Sequence, residues 1–217
     1  MKKILFFGLM LAFAGMIVGC SSCNKEESAD VEASDTDGAI VDLTTAVDNI
    51  IGMNRERMYI LAKGGNYRYF ETDVKLVDFL DSEQQDGDVA EVVSVFQVVI
   101  NDSVGYDTQV WMIGVGENGP KEVLYDGAFY LENLPLNDGP TEFSFEQALD
   151  RLMRANVVKP HSRYVVLRRP LGPKPCNAQW IFGNNNQSVF VDAVTGDVRT
   201  TNPAFDNYVG GPLGEWP

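Results

Sequence analysis

The spacing of apolar side chains changes along the chain, and it predicts both strands and helices. Residues 90–100 (AEVVSVFQVVI) and 108–116 (TQVWMIGVG) are rich in β-branched and aromatic side chains, which favour extended strands. Residues 141–156 instead place apolar side chains at helical spacing, with Thr141 or Ser144 as the cap. Further strand patterns lie at 121–134, 162–171, 178–183, 188–193 and 197–201.

The residues before position 90 carry more local signals. RMYILA (57–62) and YRYFET (67–72) flank two glycines, which predicts a β-hairpin. VKLVDFLD (74–81) predicts a short helix capped by Thr72 or Asp73. The preceding segment VDLTTAVDNIIG is compatible with either a helix or a strand.

Both halves of the chain are therefore predicted to be a helix followed by antiparallel strands. We interpret residues 41–139 and 140–203 as two repeats of an α+β unit, each a helix packed on an antiparallel β-meander. Aligning VWMIG with QWIFG matches Trp111 with Trp180 and supports a duplication. The predicted fold class is α+β with a duplicated unit.

The stretch SVFVDAVTGDVRT (188–200) places two aspartates around a Thr-Gly pair. Gly196 can adopt the positive φ that a tight hairpin needs, and Asp192 and Asp197 lie at the predicted strand ends, where aspartate bonds turn amides. A calcium loop needs six or more oxygen ligands, usually from three or four acidic residues. The motif therefore favours a turn over a cation site.

The first residues have the pattern of an export signal. Two lysines precede the uncharged apolar run 4–18, which is shorter than the roughly 20 residues of a membrane-spanning helix. We interpret residues 1–19 as a signal peptide. The run IVGC resembles the lipobox of bacterial lipoproteins, which implies cleavage before Cys20 and its acylation, for example with palmitate. The alternative is an ordinary cleaved signal with an incidental cysteine.

Residues 20–40 are acidic and carry few apolar side chains, so we expect a solvated tether bearing the lipid anchor. Ser21 differs from the aspartate that favours inner-membrane retention of enterobacterial lipoproteins. Lys25, Glu26 and Glu27 resemble the surface-export signal of Bacteroidota lipoproteins. These resemblances imply an outer-membrane protein, lipid-anchored and exposed at the cell surface.

Charge and the residue inventory exclude several functions. The chain has 17 basic and 31 acidic residues, a net charge of −14, which argues against nucleic acid as a partner. The single histidine, His161, excludes a multi-histidine metal site and leaves His161 with Cys176 as the one candidate for nucleophilic catalysis. We expect an exposed histidine and a packed cysteine, and no catalytic residues, metal or cofactor. With Cys20 acylated, Cys23 and Cys176 imply no disulfide framework.

Arginine and aromatic side chains are the candidates for contact with a partner. Arg163, Arg168 and Arg169 lie on or beside one predicted strand, where they would receive an acidic partner or pair with the protein's own acids. Trp180 is the fourth candidate, since aromatic residues on meander strands either form a binding face or pack under the helix. The aromatic candidates are Trp111, Tyr125, Phe129, Tyr130, Tyr164 and Trp180. The tail 204–217, aromatic and rich in Gly and Pro, either packs back over the sheet or docks on a partner.

The carboxyl-terminal motif resembles a known family. WIFG followed by VFVDAVTGDV is similar to the end of PepSY-type domains, and the likeness in element order covers roughly residues 140–201. The resemblance implies a helix on an antiparallel sheet and a role in binding or inhibiting proteins. A tandem of such units resembles secreted β-lactamase inhibitor proteins, which clamp an enzyme on a concave sheet. The first repeat departs from the motif at residues 124–127.

These features predict a non-enzymatic, membrane-anchored envelope lipoprotein that binds another envelope or secreted protein, with a peptidase-inhibitor-like module as one form of that role. The alternative is a glycan-binding accessory surface lipoprotein in which the aromatic side chains stack on sugar rings.

Overall fold

The computed structural model describes residues 43, 46–102, 105–128, 133–137, 141–184 and 187–206. It confirms the α+β class. The elements are α1 (Val47–Leu61), β1 (Tyr67–Leu76), β2 (Val89–Asp102), β3 (Gly105–Gly116), β4 (Gly119–Asp126), β5 (Asn133–Leu134), α2 (Phe145–Arg154), β6 (Tyr164–Pro170), β7 (Gln179–Asn184), β8 (Gln187–Asp192), β9 (Val198–Arg199) and a 3₁₀ turn (Pro203–Phe205).

The strands form one antiparallel sheet in the order β4-β3-β2-β1-β6-β7-β8-β9, with β5 added beside β6. Strand β1 pairs with β2 on one side and with β6 on the other, where Glu71 lies opposite Arg168. From this central pair the strands run outward in chain order, each run preceded by its own helix. The strand order is therefore the same when it is followed from the centre towards either edge.

Both helices contribute to a single apolar core on one face of the sheet. Ile50, Met58 and Leu152 from the helices are at most 1% exposed, and they share this core with Phe96 and Trp180 from the strands. A buried polar chain crosses it: the Asn54 amide donates to Ser94 Oγ at 3.0 Å, and Thr72 Oγ1 lies 2.7 Å from both Ser94 Oγ and the Tyr69 hydroxyl. Because each member has a partner, the core tolerates these polar groups.

The predicted hairpin around residues 63–66 is wrong, because helix α1 continues to Leu61. Ile50, Asn54 and Met58 are all buried at a spacing of four residues, so a long helical period overrides the local strand preference of RMYILA. The two glycines follow a helix end instead of a strand. Lys63 and Gly64 both adopt positive φ there, at 52° and 73°.

The short helix predicted at 74–81 is also wrong. Strand β1 extends through Leu76, and Thr72, Val74 and Leu76 are all 0% exposed. Their spacing of two residues buries one face of a strand, and pairing with β2 and β6 satisfies the backbone on both sides. Asp73, predicted as a possible helix cap, instead faces away from this core.

Helix α2 matches the prediction closely. Ser144 is the N-cap and forms a capping box with Gln147, and the apolar face predicted from Phe145 to Leu152 is buried. Asp48 of α1 adds a second carboxylate at this helix start, since its Oδ2 accepts from the Phe145 amide at 2.9 Å. Burial raises the pKa of Asp48, and that hydrogen bond opposes the rise.

The turn predicted around Gly196 is confirmed. Asp192 Oδ1 accepts from the amides of Val194 and Thr195, both at 2.9 Å, and Gly196 adopts a φ of 74°. Burial alone would raise the pKa of Asp192, but those two amides and the side-chain amides of Gln179 and Asn177 outweigh it and lower the pKa. The hydrogen-bond partners found for this carboxylate among the described residues are all amide donors of the fold itself.

Candidate binding face

The sheet has a second face, on the side away from the helices. Residues of β1, β2, β3 and β6 that alternate with the core positions point to this side. They form a shallow concavity of about 450 Å³, which we call the open face. Its lining side chains are Asp73, Lys75, Glu91, Val93, Met112, Tyr164 and Val166.

The floor of the open face is apolar and its rim is polar. Val93 on β2 is 4% exposed at the centre, with Met112 on the neighbouring strand β3 and Val166 on β6, two strands away across β1. Tyr164 stands at the rim with 56% of its surface exposed. Ile181 on β7, opposite Val166, extends the apolar floor towards the other half of the sheet. An apolar floor with a polar rim is the anatomy of protein interaction sites.

Acidic side chains are concentrated beside this floor. Asp73 lies between Val93 and Val166 in the strand register, and Glu71, two positions earlier, is 8% exposed and accepts from Asn133 Nδ2 at 2.6 Å. Burial raises the pKa of Asp73 to about 7, and the charges of Glu71 and Glu91 add to the rise, whereas Arg168 opposes it. Asp73 therefore changes its ionisation near neutral pH.

Chemically, this arrangement favours a cationic or hydrogen-bond-donating group. A lysine ammonium or arginine guanidinium placed next to Asp73 would favour the ionised carboxylate. Its positive charge would compensate for the hydration that the carboxylate loses on burial. Lys75 lies opposite Glu91 across the β1–β2 ladder, and Lys121 donates to Glu91, so that carboxylate already has a partner. Asp73 is the lining carboxyl for which no hydrogen bond is found within the described part of the chain.

The three predicted arginines do not form one surface patch. Arg163 precedes β6 and stacks on the Phe79 ring at 4.5 Å, whereas Arg169 lies opposite Leu134 of β5. The two arginines are six positions apart in the sequence, which corresponds to about 20 Å in an extended chain. Of the three, Arg168 belongs to the side of the sheet that carries the open face, opposite Glu71. In each arginine the Nε atom is buried without a hydrogen-bond partner among the described residues.

Trp180 cannot contact a partner from its place in the fold, which corrects its prediction as a site residue. The side chain is 0% exposed, packs edge-on against Phe145 at 5.6 Å, and donates its Nε1 hydrogen to the Phe143 carbonyl at 3.0 Å. The alignment of Trp111 with Trp180 also lacks support from topology. Counted from the preceding helix, Trp111 lies on the third strand and Trp180 on the second.

The His161 and Cys176 side chains have separate partners at opposite ends of β6. His161 Nδ1 lies 3.0 Å from both carboxylate oxygens of Asp81, and its ring stacks on Phe79 at 4.2 Å. Cys176 Sγ lies 4.0 Å from the Pro170 carbonyl oxygen. Burial and the Asp192 charge raise the pKa of the thiol, which is opposite to what a nucleophilic cysteine needs.

Several predicted features lie outside the described residues: Cys20, the segments 1–19 and 20–40, Cys23, Phe129, Tyr130 and residues 207–217. The start of the tail is described, and it packs back on the loop after β6. Ala204 is 0% exposed, and its carbonyl accepts from the Lys174 amide at 3.1 Å.

The described residues contain no group of three or more His, Cys, Asp or Glu side chains that could hold a metal ion. In the same part of the chain, no helix is long and apolar enough to cross a bilayer. Comparison of the chain with protein families, curated proteins and solved structures finds no match in any of the three.

Proposed function

We propose that this protein binds another protein through the open face of its sheet. The observation that carries the proposal is the solvent-accessible concavity in which an apolar floor surrounds the partly buried Asp73. A partner that inserts a lysine or arginine next to Asp73, and covers Val93 and Met112 with apolar side chains, fits this chemistry.

The wider setting of this function is also a proposal. The chain is an outer-membrane lipoprotein anchored through Cys20, and its acidic tether holds the folded unit away from the bilayer. Its two helix-and-meander halves are duplicated PepSY-like units, and the partner is an envelope or secreted protein, with peptidases as the first class to test. Support comes from the sequence motifs and from the strand order, which repeats outward from the β1–β6 pair.

Glycan binding is the weaker alternative. Trp180 is buried, and the indole Nε1 of the partly buried Trp111 donates to Gln109 at 3.3 Å. Tyr125 and Tyr164 are half exposed, but β4 and β6 are four strand spacings apart, which is about 19 Å. Two platforms at that distance do not stack on one sugar ring.

A pull-down with a matched pair of variants tests the proposal. The tagged full-length protein is isolated from its own cell envelope in mild detergent, and co-purifying proteins are identified by mass spectrometry. Tyr164→Ala removes a tyrosine from the open face, whereas Tyr59→Ala removes one of nearly equal exposure, 57% against 56%, from α1. We expect a stoichiometric partner that is lost with Tyr164→Ala and kept with Tyr59→Ala. Equal recovery with both variants would refute the open face as the site.

A further inference from the structure

Among the described residues, strand β4 has no strand paired on its outer side, so it is an edge of the sheet. It is the last strand in the sheet order, its pairing with β3 has no bulge, and Val123, Leu124 and Tyr125 are 43%, 41% and 50% exposed. Edge strands in natural proteins are usually short, bulged or charged, because an open edge recruits other strands. At the opposite edge, β9 is two residues long.

The outer side of β4 offers a defined set of backbone groups. The hairpin that closes at Gly116 and Gly119 fixes which residues of β4 bond to β3, and the bonding alternates along an antiparallel ladder. The N–H and C=O groups of Glu122, Leu124 and Asp126 consequently point away from β3. Pro120, which has no N–H to donate, occupies the outward position before them, as expected on an edge. A partner for these groups must itself be an extended strand.

The side chains beside this edge are exposed apolar groups and charged groups that are mostly paired. Leu124 lies on the helix side of the sheet, where Met53 and Ile60 of α1 form an exposed stripe with Arg57 between them. Arg57 reaches the edge itself, with its guanidinium 2.9 Å from Glu122 Oε2. Arg57 pairs with Glu122 and Lys121 with Glu91, so Asp126 is the one charged residue of β4 without an ion pair among the described residues, although the whole chain carries −14. Two copies can therefore approach at this edge without the repulsion expected elsewhere.

We propose that β4 pairs antiparallel with β4 of a second copy of this chain, about a twofold axis at Val123, so that the two sheets join into one. In this register Val123 faces Val123, Glu122 faces Leu124 and Lys121 faces Tyr125, and no like charges are opposed. An axis at Leu124 would place Glu122 opposite Asp126 twice. A twofold axis perpendicular to the sheet puts both α1 stripes on the same side, next to the paired strands.

Cysteine cross-linking of the full-length chain tests this register. Val123 would form a non-hydrogen-bonded pair with its copy, with Cα atoms about 4.5 Å apart, a separation that a disulfide spans. Val123→Cys should give a covalent dimer under mild oxidation, whereas Glu122→Cys, opposite Leu124, should not. The unchanged chain gives the background from the native cysteines. The proposal is overturned if Val123→Cys cross-links no more than the unchanged chain or the Glu122→Cys control.

Mass measurement gives an independent readout. Light scattering of the purified full-length chain should give twice the chain mass, and Val123→Lys should give the single-chain mass. Val158→Lys is the control, because Val158 is 76% exposed but lies beyond α2. Thermal unfolding establishes that each variant folds. A single-chain mass for the unchanged protein would also overturn the proposal, while a partner dependent on Tyr164 would leave the proposed function intact.

Discussion

Replacing Asp73 with asparagine should make the protein more stable at neutral and alkaline pH. Burial raises the pKa of Asp73 from 3.8 to about 7, so the folded protein holds a proton there that the unfolded chain has lost. Between these two pKa values the stability contributed by this group falls as the pH rises, and above about pH 7 the loss is complete. Asparagine does not titrate, and therefore Asp73→Asn removes this loss.

The size of the effect follows from the shift. One pKa unit corresponds to about 1.4 kcal/mol of stability. The stability lost over the whole pKa shift is reduced because part of the Asp73 side chain is solvent accessible, which leaves about 2 kcal/mol. Urea denaturation of both proteins at about pH 5 and about pH 8 should show a stability difference that is larger at about pH 8 by about 1 kcal/mol, because part of the loss has already occurred at about pH 5, above the unfolded-state pKa. Asp88→Asn, at an exposed loop position, is the control. A difference that is the same at both pH values would refute the reasoning.

Three further substitutions test the fold. Ser144→Ala removes the capping box of α2 and should lower the free energy of unfolding by about 1 kcal/mol in chemical denaturation; an unchanged midpoint would contradict the cap. Thr72→Val removes the hydroxyl that links two buried hydroxyl groups, and we expect it to lower the free energy of unfolding by about 1–3 kcal/mol in the same assay; an unchanged stability would contradict this buried network. Gly196→Ala places a Cβ 2.6 Å from the Phe143 ring at a φ of 74°, so it should lower the melting temperature by several degrees, which calorimetry would detect.

The sequence was most informative where local signals and tertiary packing agree. Strands β2, β3 and β6 to β8 have β-branched or aromatic runs of the right length, and α2 has both a cap and an apolar face. The segment 57–62 misled because Tyr59 and Ile60 are apolar yet exposed, at 57% and 58%. Local strand preference cannot reveal that the burial period of α1 continues through Met58.

The open face was not predictable from local patterns. Asp73 has the residue type and position of a helix cap, and its place beside Val93 and Val166 depends on pairing with strands that lie far away along the chain. Likewise, the alternation around Trp180 indicates two faces but not which of them the helices cover. The strand that carries Arg168 was predictable from the sequence. Its position opposite Glu71 was not, because it depends on the register between β1 and β6.

The central position of the β1–β6 pair has a consequence for how the chain is made. Glu71 pairs with Arg168, which is 97 positions later in the sequence (168 − 71). The middle of the sheet can therefore form only when most of the chain has been synthesised. Until then β1 can pair with β2 on one side only, and the side that β6 will later occupy remains unpaired. A chain whose first half has emerged before β6 therefore exposes an unpaired strand edge, which can pair with other chains until β6 reaches it.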